Sequence, residues 1–100
     1  MSRLNPKDRK ASILDAAVRM SRNYGYAEVT RADIAHAAGC SEALVSSYFG
    51  TMTQVRRAVI RCAIKDRDLV IVAQALVAKD AQAMKAPQEL RKAAVATLVG

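Results

Sequence analysis

The sequence predicts an all-α fold, and three observations support this prediction. Glycine and proline are scarce, at four and two among 100 residues. Apolar residues recur at three- and four-residue intervals, and alternating, strand-like stretches are absent. A chain of this length forms one domain or slightly more. We expect a three-helix domain over residues 1–50, followed by a connecting helix and short C-terminal helices over residues 51–100.

The first helix is predicted over about residues 6–23. Asn5 can cap it, Pro6 suits the first helical position, and Asp8 places an acid in the first turn. In the short connection that follows, Tyr26 and Val29 are expected to close the base of the three-helix unit. The apolar face of the first helix comprises Ile13, Leu14, Ala17, Met20 and Tyr24.

The stretch over residues 30–49 has the pattern of a helix-turn-helix. Thr30 and Asp33 have the spacing of a capping box, so a helix begins near Thr30. Gly39 follows where the chain must turn, and glycine tolerates the positive φ that a tight turn between two helices requires. The two short helices and their turn therefore form the unit around which we expect the rest of the chain to be arranged.

The second helix of this unit is predicted over about residues 42–49, with Ser41 as its cap. Val45 and Phe49 lie four positions apart on one face and are expected to point inward. The opposite face is small and polar, with Ala43, Ser46 and Ser47. A face of this kind can enter a DNA major groove, which is about 12 Å wide, without bulky side chains holding the helix away from the bases.

A fourth helix is predicted after Phe49, because Thr51 and Gln54 repeat the capping pattern. Its expected apolar stripe comprises Val55, Val59, Ile60 and Ala63. The next four residues, 65–68, are all charged. Two interpretations of this segment remain open: a break in the helix, or an exposed turn.

The C-terminal half is expected to contain more apolar surface than one chain can cover. Residues 69–78 are apolar on nearly every side, residues 79–86 are predicted to be a loop or frayed turn, and a last helix follows Pro87. A homodimer is the simplest way to cover these helices, and a larger partner protein or aggregation is the alternative. The predicted dimerisation residues are Leu69, Val72, Leu76, Leu90, Ala94 and Leu98.

The formal net charge of +7 favours a polyanionic partner. Near the N-terminus, Arg3, Lys7, Arg9 and Lys10 form either a mobile basic arm that follows DNA or a solvated tail. We expect a cytoplasmic protein, because the N-terminus is polar and no apolar run is long enough for a bilayer.

The sequence contains few residues that could serve in catalysis or bind a metal. Cys40 and Cys62 do not have the spacing of metal ligands, and His36 is the only histidine. No combination of nucleophile, base and acid can be assembled from the sequence. We therefore expect no enzyme activity, no metal and no cofactor, and His36 is interpreted as a surface residue of its helix.

Residues 13–49 resemble the DNA-binding domain of the TetR family of bacterial transcriptional regulators, and the resemblance extends over about residues 10–60. It rests on ILDAA at residues 13–17, Gly25-Tyr26, Asp33-Ile34-Ala35, Ala38-Gly39, Ser41 and Tyr48-Phe49. Such a resemblance implies an N-terminal three-helix DNA-binding domain and a fourth, connecting helix. It also implies a C-terminal helical part that dimerises and commonly holds an inducer pocket.

The chain departs from the family pattern at several positions. Ser21 stands where a core phenylalanine is usual, Ser46 where a tyrosine is common, and Met52 where the fourth helix often opens with a phosphate-contacting lysine. Arg56 or Arg57 can replace that lysine from the next turn. About 40 residues follow the DNA-binding part, which is too few for an enclosed pocket of a few hundred Å³, so we expect no small-molecule inducer.

The helix-turn-helix geometry assigns the candidate site residues. Base contacts are predicted for Ala43, Leu44, Ser46 and Ser47, and Leu44 has a second, equally weighted interpretation as a core residue. Phosphate contacts are predicted for Thr30, Arg31, Ser41, Tyr48 and Arg56.

From these assignments we expect a homodimer that binds double-stranded DNA at an inverted repeat. By resemblance it acts as a repressor at the bacterial nucleoid, although the residues themselves do not distinguish a repressor from an activator. The alternative is a protein-interaction module, in which the C-terminal helices bind another protein and DNA binding is weak or non-specific.

Overall fold

The computed structural model describes residues 5–99, and this range is all-helical. It contains seven helices and no strand: α1 (Pro6–Tyr24), α2 (Arg31–Ala38), α3 (Glu42–Phe49), α4 (Met52–Lys65), α5 (Leu69–Val77), α6 (Ala81–Met84) and α7 (Gln88–Val99). The predicted fold class is therefore confirmed. None of these helices is both long enough and apolar enough to cross a lipid bilayer.

The predicted caps are present at the starts of three helices. The side chain of Asn5 accepts a hydrogen bond from the Asp8 backbone N–H at 2.8 Å. Reciprocal capping boxes join Thr30 to Asp33 and Thr51 to Gln54. Each cap satisfies backbone N–H groups that have no partner inside the helix, so these short sequence patterns determine where α1, α2 and α4 begin.

The first three helices form a unit with a shared core. α2 packs against both α1 and α3, and Ile13, Ile34 and Val45 are fully buried. Tyr26 and Val29 are buried in the α1–α2 connection, as predicted. Tyr24 is 65% exposed, so its predicted place on the apolar face is wrong. Tyr24 is the last residue of α1, and the chain turns away at Gly25.

The charged segment at residues 65–68 breaks the helix. α4 ends at Lys65, and Arg67 has φ of 55°, which is outside the helical range. The Asp68 carboxylate then caps α5 by accepting a hydrogen bond from the Ile71 N–H at 3.2 Å. The same carboxylate, with only 7% of its side-chain surface exposed, accepts a hydrogen bond from the Arg22 guanidinium of α1. Asp68 therefore starts α5 and ties it to α1.

Residues 79–86 contain a short helix where a loop or frayed turn was predicted. The Asp80 carboxylate caps α6 by accepting from the Gln82 and Ala83 N–H groups at 2.9 and 3.2 Å. Ala83 and Ala86 are buried. The small alanine side chains let this turn of helix pack closely against α4 and α5, which adds cover to both.

The expectation that one chain cannot cover α5 is wrong for most of that helix. Ile71, Val72, Ala73 and Ala75 are buried, because α7, α4, α6 and the end of α1 all pack against α5.

Three of the predicted dimerisation residues are covered in the same way. Val72, Leu90 and Ala94 are at most 1% exposed in a single chain, because α5 packs on α7, so their assignment to a contact with a second copy is wrong. Leu69 and Leu76 are partly buried, and Leu98 is 53% exposed.

One polar residue of α5 joins the C-terminal helices to the three-helix unit. Gln74 Oε1 accepts a hydrogen bond from the Tyr26 backbone N–H at 3.0 Å, between residues 48 positions apart. Without this acceptor, the partly buried N–H has no partner in the part of the chain that the structure describes. This hydrogen bond explains why Gln74, a polar residue, lies within the otherwise apolar helix α5.

Gln74→Ala is expected to lower the free energy of unfolding by about 1–2 kcal/mol, the usual cost of leaving a buried N–H unsatisfied. Gln88→Ala, at an exposed position of α7, serves as the matched control and is expected to change it by less than about 0.5 kcal/mol. Urea unfolding followed by circular dichroism measures both. Equal effects of the two substitutions would show that the Tyr26–Gln74 hydrogen bond does not stabilise the fold.

Candidate nucleic-acid interface

The turn between α2 and α3 is made by Gly39 in the left-handed conformation, with φ 68° and ψ 36°. Its N–H and that of Cys40 bond back to the carbonyls of His36 and Ala35, which closes the end of α2. A Cβ at Gly39 would meet no atom within 4 Å, so the backbone conformation rather than crowding calls for glycine here. This turn sets the angle at which α3 leaves the unit.

α3 is held by a cap at its start and an anchor at its centre. Ser41 Oγ accepts a hydrogen bond from the Leu44 N–H at 3.1 Å. Val45 is fully buried. These two contacts leave the opposite face of α3 uncovered, which is the arrangement that a recognition helix requires.

The four predicted base-contact residues differ in exposure. Ala43 and Ser47 lie one helical turn apart and are both exposed, whereas Leu44 and Ser46 are partly exposed. Among the described residues, Leu44 is not one of the partly buried side chains that pack on the core. The structure therefore brings Ala43 and Ser47 together on one open face and leaves Leu44 at its edge.

Two of the predicted phosphate contacts lie at the start of α2. Thr30 is exposed, with its side chain and backbone both engaged in the capping box with Asp33. The hydrogen bonds from Thr30 lower the pKa of the Asp33 carboxyl, so this cap is retained above the normal pKa of aspartate and lost as the pH falls through the lowered value. Arg31 is partly buried, and its Nε has no hydrogen-bond partner among the described residues.

Ser41 and Tyr48 lie at opposite ends of α3. Ser41 is exposed and its oxygen serves as the cap described above, which leaves its hydroxyl hydrogen available as a donor. Tyr48 is partly buried and packs against the core. The structure thus places a hydroxyl donor at each end of the exposed α3 face.

Arg56 is separated from these residues. It lines a groove of about 460 Å³ together with Tyr26, Asp80 and Gln82, where α4 meets the start of α6. Burial raises the pKa of the Tyr26 hydroxyl, Asp80 raises it further, and Arg56 opposes the rise. Arg56 therefore faces the C-terminal helices, and the structure does not bring it to the other predicted phosphate ligands.

The neighbouring Arg57 lines this groove too, and it also lines a second groove of about 550 Å³ that we call the α1–α4 groove. Its wall includes Tyr48. We did not predict this groove from the sequence. The basic residues that recur at four-residue intervals along α4 could have indicated it. The cationic residues and the tyrosine that line it are Lys10, Tyr48, Arg57, Arg61 and Lys65.

Three residues of the predicted basic arm belong to a helix. Lys7, Arg9 and Lys10 lie in the first turns of α1, so the prediction of a mobile arm is wrong for them, because Asn5 and Pro6 start the helix before they occur. Arg3 lies outside the described residues. Lys10 Nζ is 5.5 Å from the centroid of the Phe49 ring, a cation–π contact that holds it beside the end of α3.

The chain is similar to known regulatory proteins over about two thirds of its length. Residues 13–59 match the family model described as "Bacterial regulatory proteins, tetR family". The chain is 42% identical over 69 residues to the "HTH-type transcriptional regulator BetI" of Agrobacterium fabrum (strain C58), covering 67% of the chain and 33% of that protein. It is 41% identical over 71 residues to the protein of the same name from Rhizobium meliloti (strain 1021), covering 70% and 34%.

The chain spans about a third of the length of these curated relatives. No solved structure matches it significantly. The family match at residues 13–59 includes the capping boxes of α2 and α4, the Gly39 turn and the exposed face of α3.

Proposed function

The chain belongs to the tetR family of bacterial regulatory proteins through residues 13–59, and from this premise we propose that it is a homodimeric repressor binding an inverted-repeat operator. Residues 1–50 form the DNA-binding domain in this proposal, and residues 51–100 supply the connecting helix and the dimerisation helices. The protein acts at the bacterial nucleoid in the cytoplasm, without catalysis and without a small-molecule inducer.

The exposed face of α3 carries the proposal. Ala43 and Ser47 present small side chains one turn apart, and Val45 fixes the opposite face in the core. Small side chains allow the helix to approach base edges closely, and the serine hydroxyl can hydrogen-bond to bases. Leu44 and Ser46 flank this face and complete the proposed base contacts. Thr30, Arg31, Ser41 and Tyr48 are the proposed phosphate contacts on either side.

The proposed dimer uses apolar side chains that remain exposed on α5 and α7. Val70, Val77, Val95, Leu98 and Val99 are 45–83% exposed, which leaves large apolar side chains on both helices open to contact with another chain. A second copy covering these residues would produce a two-fold symmetric protein. Two recognition helices would then read half-sites about 34 Å apart, or one helical turn of DNA.

The same exposed apolar residues support the alternative function. A different protein could cover them, in which case the chain is a protein-interaction module with weak or non-specific DNA binding.

The proposal of an inducer-free regulator is supported by the grooves at the three-helix unit and at α6, which are open to solvent rather than enclosed. Repression follows when the operator overlaps a promoter and polymerase is excluded.

Selection of bound duplexes from a random pool, at near-physiological salt, tests the proposed function. We expect enrichment of an inverted repeat, since two copies of α3 would read the same sequence in opposite directions. Enrichment of a single half-site would support DNA binding and contradict the dimer. A folded protein that enriches no sequence would support the interaction module instead.

Tyr48→Phe is expected to weaken binding to all duplexes by about tenfold without altering sequence preference. The substitution removes one hydroxyl and keeps the ring packing, and a hydrogen bond to a charged phosphate contributes about 1.5 kcal/mol. Tyr24→Phe is the matched control, because Tyr24 is exposed at the end of α1, and it should leave affinity unchanged. Fluorescence anisotropy on the enriched duplex measures both variants. Identical affinities would remove Tyr48 from the phosphate contacts.

A further inference from the structure

The α1–α4 groove concentrates positive charge beside the end of α3. Four exposed cationic side chains line it: Lys10, Arg57, Arg61 and Lys65. Asp66 is the one carboxylate among the described lining residues, and it accepts a hydrogen bond from the Cys62 thiol at 3.4 Å. Four cations against one carboxylate leave the groove strongly positive, and such a surface attracts anions.

The cations of this groove are not neutralised by ion pairs within residues 5–99. Elsewhere in the described range, Arg19, Arg22 and Arg67 each form an ion pair with a carboxylate, at Asp15, Asp68 and Glu89. The four groove cations form no ion pair with any residue of that range. Arginines paired within the protein stabilise the fold, whereas unpaired arginines can bind phosphate in a bidentate manner.

The row of cations begins at the recognition helix and continues away from it. Tyr48 and Phe49, the last residues of α3, form one end of the groove, and Lys10 lies over the Phe49 ring. Arg57, Arg61 and Lys65 follow at four-residue intervals along α4. At about 1.5 Å per residue, this row is about 12 Å long. A DNA strand that passes the end of α3 would therefore meet further cations along α4.

We propose that the α1–α4 groove binds the phosphates of the DNA backbone beside the major-groove contact, with Arg57 and Arg61 as direct phosphate ligands. This inference rests on the proposed function, because α3 must lie in the major groove for the strand to reach α4. Arg57, which lines the α1–α4 groove as Arg56 does not, would make the contact that Met52 cannot make. It also extends the contacted DNA beyond the bases that α3 reads.

The salt dependence of binding tests this inference in the full chain. The double variant Arg57→Gln/Arg61→Gln is compared with Lys85→Gln/Lys92→Gln, at exposed positions of the C-terminal part. Both variants lower the formal net charge from +7 to +5, so any effect of overall charge is matched. Binding is measured between about 50 and 200 mM salt on the selected duplex and on an unrelated duplex of equal length.

The groove variant is expected to reduce the slope of log K against log salt by about 1.8, or roughly 0.9 for each phosphate that the protein no longer neutralises. The control should retain the wild-type slope to within about 0.3, since its lysines would meet no phosphate. Sequence preference should stay the same in both. Equal slopes for the two double variants would overturn the inference, even if the wild-type protein selects an inverted repeat.

The two proposals fail in different ways. If selection enriches no sequence but the groove variant still lowers the slope on the unrelated duplex, the phosphate site stands and sequence-specific regulation does not.

If the double variant does not fold, phosphate ethylation interference on the wild-type complex tests the phosphate site instead. Interference at phosphates beyond the bases that α3 reads would support the groove site, and interference confined to the half-site would overturn it.

Discussion

Val45→Asp is expected to unfold the three-helix unit, whereas Ser47→Asp should leave the fold intact and strongly weaken DNA binding. The two positions lie two residues apart on α3, but Val45 is fully buried and Ser47 is exposed. An unpaired carboxylate at position 45 costs about 3–5 kcal/mol, a large part of the stability of a small domain. At position 47 the same carboxylate costs less than about 1 kcal/mol, mainly through its place near the helix C-terminus.

The pair of variants separates folding from recognition. Urea unfolding should show the loss of stability for Val45→Asp alone. Ser47→Asp should weaken DNA binding at least about tenfold, because a carboxylate facing the groove repels phosphates and meets base-edge acceptors. Unchanged DNA affinity in a folded Ser47→Asp protein would mean that α3 does not present this face to DNA.

Leu90→Ala is expected to have the second largest effect, lowering the free energy of unfolding by about 2–5 kcal/mol. Leu90 is 1% exposed on α7 and belongs to the core shared with α5. Since this burial lies within one chain, the loss of stability should not depend on protein concentration. Leu98→Ala makes the same change two turns later on α7, where the side chain is 53% exposed, and should cost less than about 0.5 kcal/mol.

Unfolding at two protein concentrations, with sedimentation equilibrium, distinguishes the two leucines. Leu98→Ala should weaken self-association while Leu90→Ala should not, as long as the protein stays folded. A cost of Leu90→Ala that shrinks at high protein concentration would contradict burial within one chain and point to burial between two chains.

The helix starts were predictable because a cap is a local interaction. Asn5, Thr30 and Thr51 each bond to a residue three positions later, so the pattern and the hydrogen bond lie in the same short stretch. The turn at Gly39 is local for the same reason. α6 was missed, although Asp80 is also a local cap, because the burial of Ala83 depends on helices distant in sequence.

The wrong predictions concern which part of the protein, or which other chain, a side chain contacts. Apolarity at Val72 and Leu90 is the same whether another helix or another chain covers it, so the sequence pattern alone could not exclude the dimer assignment. Arg56 and Arg57 are about 100° apart on α4. Arg56 lines the groove with Asp80 and Gln82, whereas Arg57 lines both that groove and the one with Tyr48.

Asp68 both caps α5 and bonds to Arg22 of α1, and this affects where the three-helix unit can be joined to another protein. Its carboxylate belongs to the segment after α4, yet it bonds to Arg22 of α1, and Gln74 bonds to Tyr26 in the same neighbourhood. A chimaera joined directly after α4 would leave Arg22 and the Tyr26 N–H without these acceptors. A junction placed after residue 74 carries both with the unit, so a designer who joins the three-helix unit to another protein should cut within or beyond α5.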